Sequence, residues 1–316
     1  MAPQRAANRR AGVLAVHSLD HFAIAVPDLE EARRFYALLG LEARDEPGGI
    51  GLYTQGHAHR WGLIIQGARK RLLYLSFAAF ADDFDTFSRH FDSIGVKRIA
   101  PVKPDSGGLW IEGFDGLALN VRVAEKSSPD SKSAFQVESV GPGQAGTIVN
   151  SKAPKVHPRR LSHLAIFTTD VAAATVFYEH TLGLRLSDSS GPVAFLHGAH
   201  GSDHHMLALI ASDHRGMHHA CWDVASIQEV GLGWAQMSRA GFDRGWGLGR
   251  HVLGANYFRY VRDPWGSYSE YSADIDYIPA DCDWKAGTHA EEDSMFQWGP
   301  LPAEDFITNF EPKDSC

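Results

Sequence analysis

The stretch LDHFAIAVPDLEEARRFYALLGL, residues 19–41, decides the fold because it recurs at residues 161–184 as LSHLAIFTTDVAAATVFYEHTLGL. The matched residues keep a constant offset of 142 and include His21 with His163, Asp28 with Asp170, Ala32 with Ala174 and Tyr36 with Tyr178. One inserted residue then brings Gly40 to Gly183. A register kept over so many positions indicates that the two halves of the chain are copies of one unit.

Each copy predicts a strand, a helix capped by Asp28 or Asp170, and a glycine at the end of the helix. Short β-rich runs follow, such as GIGLYT and RWGLIIQ in the first half and PVAFLHG and HMLALIA in the second. The same pattern restarts at LLYLSF and at MHHACW. The sequence therefore predicts an α+β protein of four βαβββ modules in two domains, each a curved mixed sheet or open barrel with helices outside.

Composition shifts set the expected boundaries of the domains. We expect a disordered tail over 1–15, an N-terminal domain over 16–124, a Ser-, Pro- and Gly-rich linker over 125–157, a C-terminal metal domain over 158–275, and an aromatic tail over 276–316 packed on the domains.

The composition narrows the class of protein. A hydrophobic fraction of 44% and a charged fraction of 22% are typical of a globular protein and not of a membrane protein. The net charge of −8 disfavours a nucleic-acid binder. Three scattered cysteines and an N-terminus without a signal-peptide pattern predict a cytoplasmic location. The 17 histidines are the unusual feature.

Three residues of the second half form a metal-ligand set. His163 and His219 lie in the first strands of the third and fourth modules, and Glu270 lies in the last strand. They are about one module apart, so equivalent strands present all three to one concave centre. Two imidazoles and a carboxylate are typical of iron(II) oxygenases. His218 is the alternative to His219, which is preferred because it matches the column of His163.

The first half serves as an internal comparison. Its matching positions carry His21, Tyr74 and Asn120. Tyrosine and asparagine in place of an imidazole and a carboxylate leave one good ligand. We therefore expect the N-terminal domain to be metal-free, with His21 in a structural role.

The motifs LSHLAIF, DHHMLALI, MHHACWDV and GRHVLGANYFRYVRDPWGSYSEY resemble those of the type I extradiol ring-cleavage dioxygenases, in the vicinal oxygen chelate superfamily. The resemblance runs from about residue 19 to about residue 300. It implies iron(II), with manganese(II) as the alternative metal, a catechol substrate, O2 as the second substrate, and a homo-oligomer.

The resemblance also implies roles for further residues. The acid–base histidine of the family falls on His205, with His204 as the alternative, and the partners of the substrate hydroxyls fall on His251 and Tyr260. The candidates for the substrate pocket are His197, Phe195, Trp246, Arg250 and Asn256. Arg250 would either meet a substrate carboxylate or form a structural salt bridge. The identity of the catechol stays open.

Two other functions use the same modules. A glyoxalase-type isomerase or lyase would need a second carboxylate ligand and often assembles its site across two domains. A non-catalytic small-molecule-binding protein would not need His205, Tyr260 and His251 around a metal site.

Overall fold

The structure, a computed structural model, describes residues 8–137 and 139–313. The elements of the first half are β1 (Ser18–Val26), α1 (Leu29–Leu39), β2 (Glu42–Glu46), β3 (Gly49–Tyr53), β4 (Arg60–Gln66), β5 (Arg71–Ala79), α2 (Phe84–Ser93), β6 (Leu109–Glu112) and β7 (Ala118–Val123). Short 3₁₀ helices lie at Ala81–Asp83, Phe114–Gly116 and Asn150–Lys152.

The second half repeats this order and adds a C-terminal segment. Its elements are β8 (Arg160–Thr168), α3 (Val171–Leu182), β9 (Leu184–Ser190), β10 (Val193–Gly198), β11 (Ser202–Asp203), β12 (Leu207–Ala211), β13 (Gly216–Asp223), α4 (Ile227–Arg239), β14 (Gly245–Arg250), β15 (Tyr257–Arg262), β16 (Tyr268–Ala273), β17 (Tyr277–Ile278), β18 (Gly287–His289) and α5 (Glu291–Ser294).

Each half builds one mixed sheet from two modules. The first sheet has the order β2-β3-β4-β1-β5-β7-β6, and the second has the order β14-β15-β16-β13-β8-β12-β10-β9-β18. The modules join where their first strands pair antiparallel, β1 with β5 and β8 with β13. The predicted α+β fold of repeated modules in two domains is confirmed.

The second module departs from the predicted pattern. The first of its three strands after the helix is reduced to an isolated bridge between Arg98 and Ile111. The first sheet therefore contains seven strands, whereas the four-strand modules of the second half give eight strands, to which β18 adds a ninth.

The predicted helix boundaries are confirmed in both copies. The carboxylates of Asp28 and Asp170 accept hydrogen bonds from the backbone N–H of Glu31 and of Ala173, each at 2.9 Å. The helices end at Gly40 and Gly183, which have φ angles of 99° and 71°. Glycine adopts this left-handed conformation without the steric cost that a Cβ imposes.

The two halves exchange the segments that precede their first strands. A Cβ at Gly40 would lie 2.0 Å from the carbonyl oxygen of Val156, and a Cβ at Gly183 would lie 2.4 Å from that of Leu14. The helix end of each half is thus covered by the segment that leads into the other half. One hydrophobic core of buried residues extends across both halves.

The expected N-terminal tail is ordered over the part that the structure describes. Asn8 donates to Asp130, Arg9 pairs with Asp82, and the backbone N–H of Arg10 donates to Nδ1 of His200 at 3.1 Å. Ala15 is fully buried. The prediction of disorder over 8–15 is therefore wrong, because polar partners on both domains hold the segment. Residues 1–7 lie outside the described part of the chain.

The C-terminal segment packs on the second sheet. Its strands β17 and β18 pair with β11 and β9, and the side chain of Phe306 is buried. Lys70 of the first half and Glu311 form a buried ion pair at 2.9 Å. In the described residues, no helix has the length and apolar character that crossing a membrane requires.

Candidate active site

The three predicted ligands converge in the second sheet. Nε2 of His163 lies 3.2 Å from Nε2 of His219. Oε2 of Glu270 lies 3.5 Å from the first of these nitrogens and 3.4 Å from the second. All three side chains are buried. The set can hold one metal ion, because each residue turns one ligand atom toward a common point.

Strand register explains this convergence. Cys221 on β13 pairs with His163 on β8 and with Glu270 on β16, so these residues form one row across three strands. Residues opposite each other in neighbouring strands share a face of the sheet. His219 lies two positions before Cys221 and shares that face.

The carboxylate of Glu270 fits a metal ligand. Its Oε1 accepts a hydrogen bond from Nδ2 of Asn256 at 3.0 Å, whereas its buried Oε2 has no hydrogen-bond partner among the described residues. A buried oxygen without a partner carries a large desolvation cost, which a cation would remove. Burial alone raises the pKa of Glu270, but His163 and His251 outweigh burial and lower it.

The contacts of His218 and His219 distinguish the roles of the two residues. His219 belongs to the ligand set, while His218 lies behind it and donates from Nε2 to the carbonyl oxygen of Phe306 at 2.8 Å. The Nδ1 atoms of the two rings are 2.6 Å apart. Burial, with His218 and His163 nearby, lowers the pKa of His219 well below its usual value, which keeps the ring neutral.

The three residues implied for catalysis surround the ligand set. The ring of His205 lies 4.0 Å, centroid to centroid, from that of His163, and His205 forms part of the cavity wall. His204 lies behind it, with its Nδ1 3.1 Å from Nδ1 of His205. Burial, with His163 and His204 nearby, lowers the pKa of His205 well below its usual value.

Tyr260 and His251 form a hydrogen-bonded pair on the other side of the cavity. Nδ1 of His251 donates to the carbonyl oxygen of Met295 at 2.7 Å. Its Nε2 therefore accepts from the hydroxyl of Tyr260, at 3.1 Å. Burial and the nearby carboxylate of Glu270 raise the pKa of Tyr260 well above its usual value. The hydroxyl oxygen of Tyr260 keeps a lone pair for another donor.

The matching site of the first half is filled by an ionic network. Oδ2 of Asp105 accepts from the hydroxyl of Tyr74 at 2.6 Å and lies 2.8 Å from Nε2 of His21. The guanidinium of Arg60 also bonds this oxygen and lies 3.1 Å from the same nitrogen. Asn120 turns to Ser76 and to the carbonyl of Gly107. In the described part of this half, no group of metal ligands assembles.

Comparisons with known proteins agree with this geometry. Residues 160–271 match the family model of the glyoxalase/bleomycin resistance protein/dioxygenase superfamily. The chain is 49% identical, over 94% of its length and 93% of the relative, to metapyrocatechase 2 of Cupriavidus necator. The chain belongs to the extradiol dioxygenases of this superfamily.

Solved structures share the fold of this extradiol dioxygenase. A variant of homoprotocatechuate 2,3-dioxygenase from Brevibacterium fuscum matches with a TM-score of 0.76 at 18% identity, over 96% of this chain and 84% of that one. The Mn(II)-bound glyoxalase from Novosphingobium aromaticivorans matches with a TM-score of 0.74 at 22% identity, over 95% of this chain and 96% of that one.

The cavity of the dioxygenase opens beside the ligand set and has a mainly apolar wall. Of the predicted pocket residues, Phe195, Trp246 and Asn256 line it. Further lining residues that the sequence interpretation missed include Val193, Ala208, Ile210, Leu253, Met295 and Ile307. The aromatic composition of the C-terminal segment indicated packing on the domains, but nothing in it indicated which residues reach the cavity.

Two predicted pocket residues, Arg250 and His197, lie outside the cavity lining. A register shift between Gly247 and Gly249 pairs Arg250 with Tyr257, away from the cavity face. The guanidinium of Arg250 donates to the carbonyl of Ala255 and to the hydroxyl of Tyr257. A bulge moves every later side chain to the other face of its strand. These contacts fit the structural alternative for Arg250, whose Nη2 also lies 3.5 Å from Oδ2 of Asp274.

His197 also lies outside the cavity lining, although its own strand carries no extra residue. The register shift between β10 and β9 leaves Ser187 of β9 as the extra residue. Nδ1 of His197 lies 2.8 Å from Oγ of Ser187, and the ring is buried outside the cavity wall. The predicted pocket role of His197 is wrong.

Proposed function

We propose that this chain is an iron(II) enzyme that inserts both atoms of O2 into a catechol and opens the ring beside its two hydroxyls. The product would be a semialdehyde or a dienoate formed in the breakdown of aromatic compounds. The observation that carries the proposal is the buried set of His163, His219 and Glu270, with the unpartnered Oε2 of Glu270 aimed into it.

The ligand set favours a divalent ion with open coordination positions. When bound, such an ion supplies positive charge that favours binding of a catechol as an anion and gives O2 an adjacent site. Two imidazoles and one carboxylate suit iron(II). Manganese(II) is the second candidate, since one structural neighbour is a Mn(II)-bound glyoxalase.

The residues around the set are placed to handle protons. Tyr260 donates to His251 and can accept a hydrogen bond from a substrate hydroxyl. His205, on the cavity wall opposite, is the residue that would hold and move a proton during turnover. His204 does not line the cavity, so it is the poorer candidate for this task.

The wall of the cavity favours a catechol with an uncharged substituent. Its lining is mostly apolar, and among the described lining residues the acidic side chain besides the ligand is Glu291. Arginine and lysine are absent from that described lining. We therefore expect a carboxylated catechol to be the poorest substrate of a panel.

The function is tested by anaerobic loading with iron(II) or manganese(II), followed by catechol, an alkylcatechol, an arylcatechol and a carboxylated catechol in air. We expect a yellow ring-opened product and matching O2 uptake with the uncharged substrates. Absence of product with every catechol and both metals would contradict the proposal. An isomerase of the glyoxalase type would need no O2 and would act on another class of substrate, so it would give neither yellow product nor O2 uptake with these catechols.

We further propose a cytoplasmic homo-oligomer. The thiols of Cys221 and Cys282 are free, in keeping with a reducing compartment. Cell fractionation tests the location, and analytical ultracentrifugation tests the assembly. A protein confined to the periplasm or a purely monomeric species would contradict the respective proposal.

A further inference from the structure

Two histidine doublets in the second half share one arrangement. In each, the first histidine bonds through Nδ1 to Nδ1 of the second, and its Nε2 meets an oxygen. His218 links His219, at 2.6 Å, to the carbonyl of Phe306, at 2.8 Å. His204 links His205, at 3.1 Å, to Oδ2 of Asp188, at 2.9 Å.

This arrangement determines the tautomer of each ring. A carbonyl or carboxylate oxygen only accepts, so the first histidine carries its proton on Nε2 and, when neutral, a lone pair on Nδ1. The second histidine must then donate from Nδ1, which leaves the lone pair on its Nε2. His219 supports the argument, because its Nε2 points at the metal position, where a ligand needs a lone pair.

We propose that Asp188 and His204 are positioning residues, which hold His205 in the tautomer that presents the Nε2 lone pair to the substrate cavity. This inference rests on the proposed function, since it concerns the proton chemistry of His205. In this tautomer, a proton leaving a catechol hydroxyl moves to Nε2 of His205. The imidazolium so formed keeps its Nδ1–H bond to His204, and the carboxylate of Asp188 lies at the end of the chain.

The surroundings of Asp188 keep it a carboxylate. Its Oδ1 accepts from the backbone N–H of Gly287 at 2.9 Å and from Nε2 of His289 at 2.7 Å, while Oδ2 faces His204. Burial raises the pKa of Asp188, but the hydrogen bonds from His204, His289 and Gly287 outweigh it and lower the pKa to about 2. Both oxygens are thus held by donors.

Asp188→Asn should reverse the donor and acceptor in two hydrogen bonds, the one between residue 188 and His204 and the one between His204 and His205. The two donors at Oδ1 require the amide oxygen there, so the amide NH2 faces His204. Nε2 of His204 must then accept, its Nδ1 carries the proton, and Nδ1 of His205 becomes the acceptor. His205 would present an N–H to the cavity instead of a lone pair. A comparable carboxylate-to-amide change disables the histidine of serine proteases by selecting the wrong tautomer.

The tautomer is measured by ¹⁵N NMR on histidine-labelled, zinc-loaded, full-length protein, with the His205 signals assigned by their loss in His205→Gln. We expect the proton on Nδ1 in the unmodified protein and on Nε2 in Asp188→Asn. The same tautomer in both proteins, or a proton on Nε2 in the unmodified protein, overturns the proposal. This measurement requires no turnover, so it decides the inference even if the proposed function fails.

Kinetics test the consequence for the reaction. We expect Asp188→Asn to lower kcat by about 10²-fold or more with KM, iron content and Tm nearly unchanged. Asp188→Glu should restore part of kcat, because it restores a carboxylate. Unchanged kcat in Asp188→Asn, or a loss explained by lost iron or a lowered Tm, overturns the proposal.

A matched control is Asp213→Asn. Asp213 also pairs with the ring of a neighbouring histidine, His214, but its side chain is 64% exposed and it does not line the cavity. We expect no change in kcat for this variant. A similar loss of kcat in both variants would mean that the effect does not come from the chain through His204, and it would overturn the proposal.

Discussion

The two halves of this molecule have equivalent strands, but the side chains at the equivalent positions differ in chemistry. His163, His219 and Glu270 of the second half match His21, Tyr74 and Asn120 of the first. The match extends one strand further. Leu164 corresponds to Phe22, and their parallel partners are Leu207 and Gly62. Two residues before those partners, His205 corresponds to Arg60.

In the first half, an ion pair and hydrogen bonds occupy the positions that correspond to the ligand set. In the first half, the guanidinium of Arg60 lies beside His21 and is balanced by Asp105 from a loop. Burial raises the pKa of Asp105, but the bonds from His21 and Tyr74 and the charge of Arg60 outweigh it and lower the pKa. The guanidinium of Arg60 thus lies at the position that corresponds to His205, the acid–base candidate beside the ligand set of the second half.

The largest effect should come from removing the carboxylate ligand. We expect Glu270→Ala to weaken metal binding by more than about 10²-fold and to abolish turnover, because two imidazoles alone give a weak and mispositioned site. Its counterpart Asn120→Ala should retain the metal. Metal analysis after gel filtration measures both. Loss of metal from Asn120→Ala alone would move the site to the other half.

A smaller effect is expected at His205, whose counterpart in the first half is Arg60. His205→Ala should keep iron and bind catechol, while kcat falls by about 10²-fold, because a positioned proton carrier contributes roughly that much. Stopped-flow absorbance separates binding from turnover. A near-normal kcat would assign the proton transfer to another group.

Asn256 tests how far metal binding depends on the residue that orients the carboxylate ligand. Its Nδ2 donates to Oε1 of Glu270 and to Oγ of Ser272. Asn256→Ala should lower metal affinity by about 10-fold, since residues that orient a ligand typically contribute 10- to 100-fold. Competition with a chelator measures this affinity. Unchanged affinity would show that strand packing alone orients the carboxylate.

The smallest effect on activity is expected in the first half. Arg60→Ala should leave turnover intact, because the residue lies in the domain without a ligand set. It should lower the free energy of unfolding by about 1–3 kcal/mol, since it leaves Asp105 without one of its charged hydrogen-bond donors. Urea unfolding and the ring-cleavage assay measure the two quantities. Loss of activity without loss of stability would assign the first half a part in catalysis.

Much of the site could be predicted because the repeat fixes strand register. His163 and His219 lie in equivalent first strands, so their side chains face one centre once the modules are aligned. Alternation along a strand fails at a bulge, such as the one between Gly247 and Gly249 that precedes Arg250. Glycines inside a strand indicate that a bulge is near but not which residue it displaces.

The supporting contacts had no sequence signal at all. The acceptor for His218 is the backbone carbonyl of Phe306, and every residue type has one. Asp188 meets His289 across 101 residues, through a pairing of β18 with β9 that has no periodic pattern. Such contacts depend on how a long irregular segment folds back, which local propensity does not determine.

The exchanged segments at Gly40 and Gly183 make the stability of each half depend on the other. Each half supplies the segment that closes a helix end of its neighbour, so an isolated half would leave that end and part of the shared core open to water. Each half expressed alone should therefore be less stable than in the whole chain, because the apolar surface buried between the halves contributes to the stability of both. The first half would then act as a folding partner of the second, and we expect substitutions at the exchanged segments to lower the abundance of the enzyme.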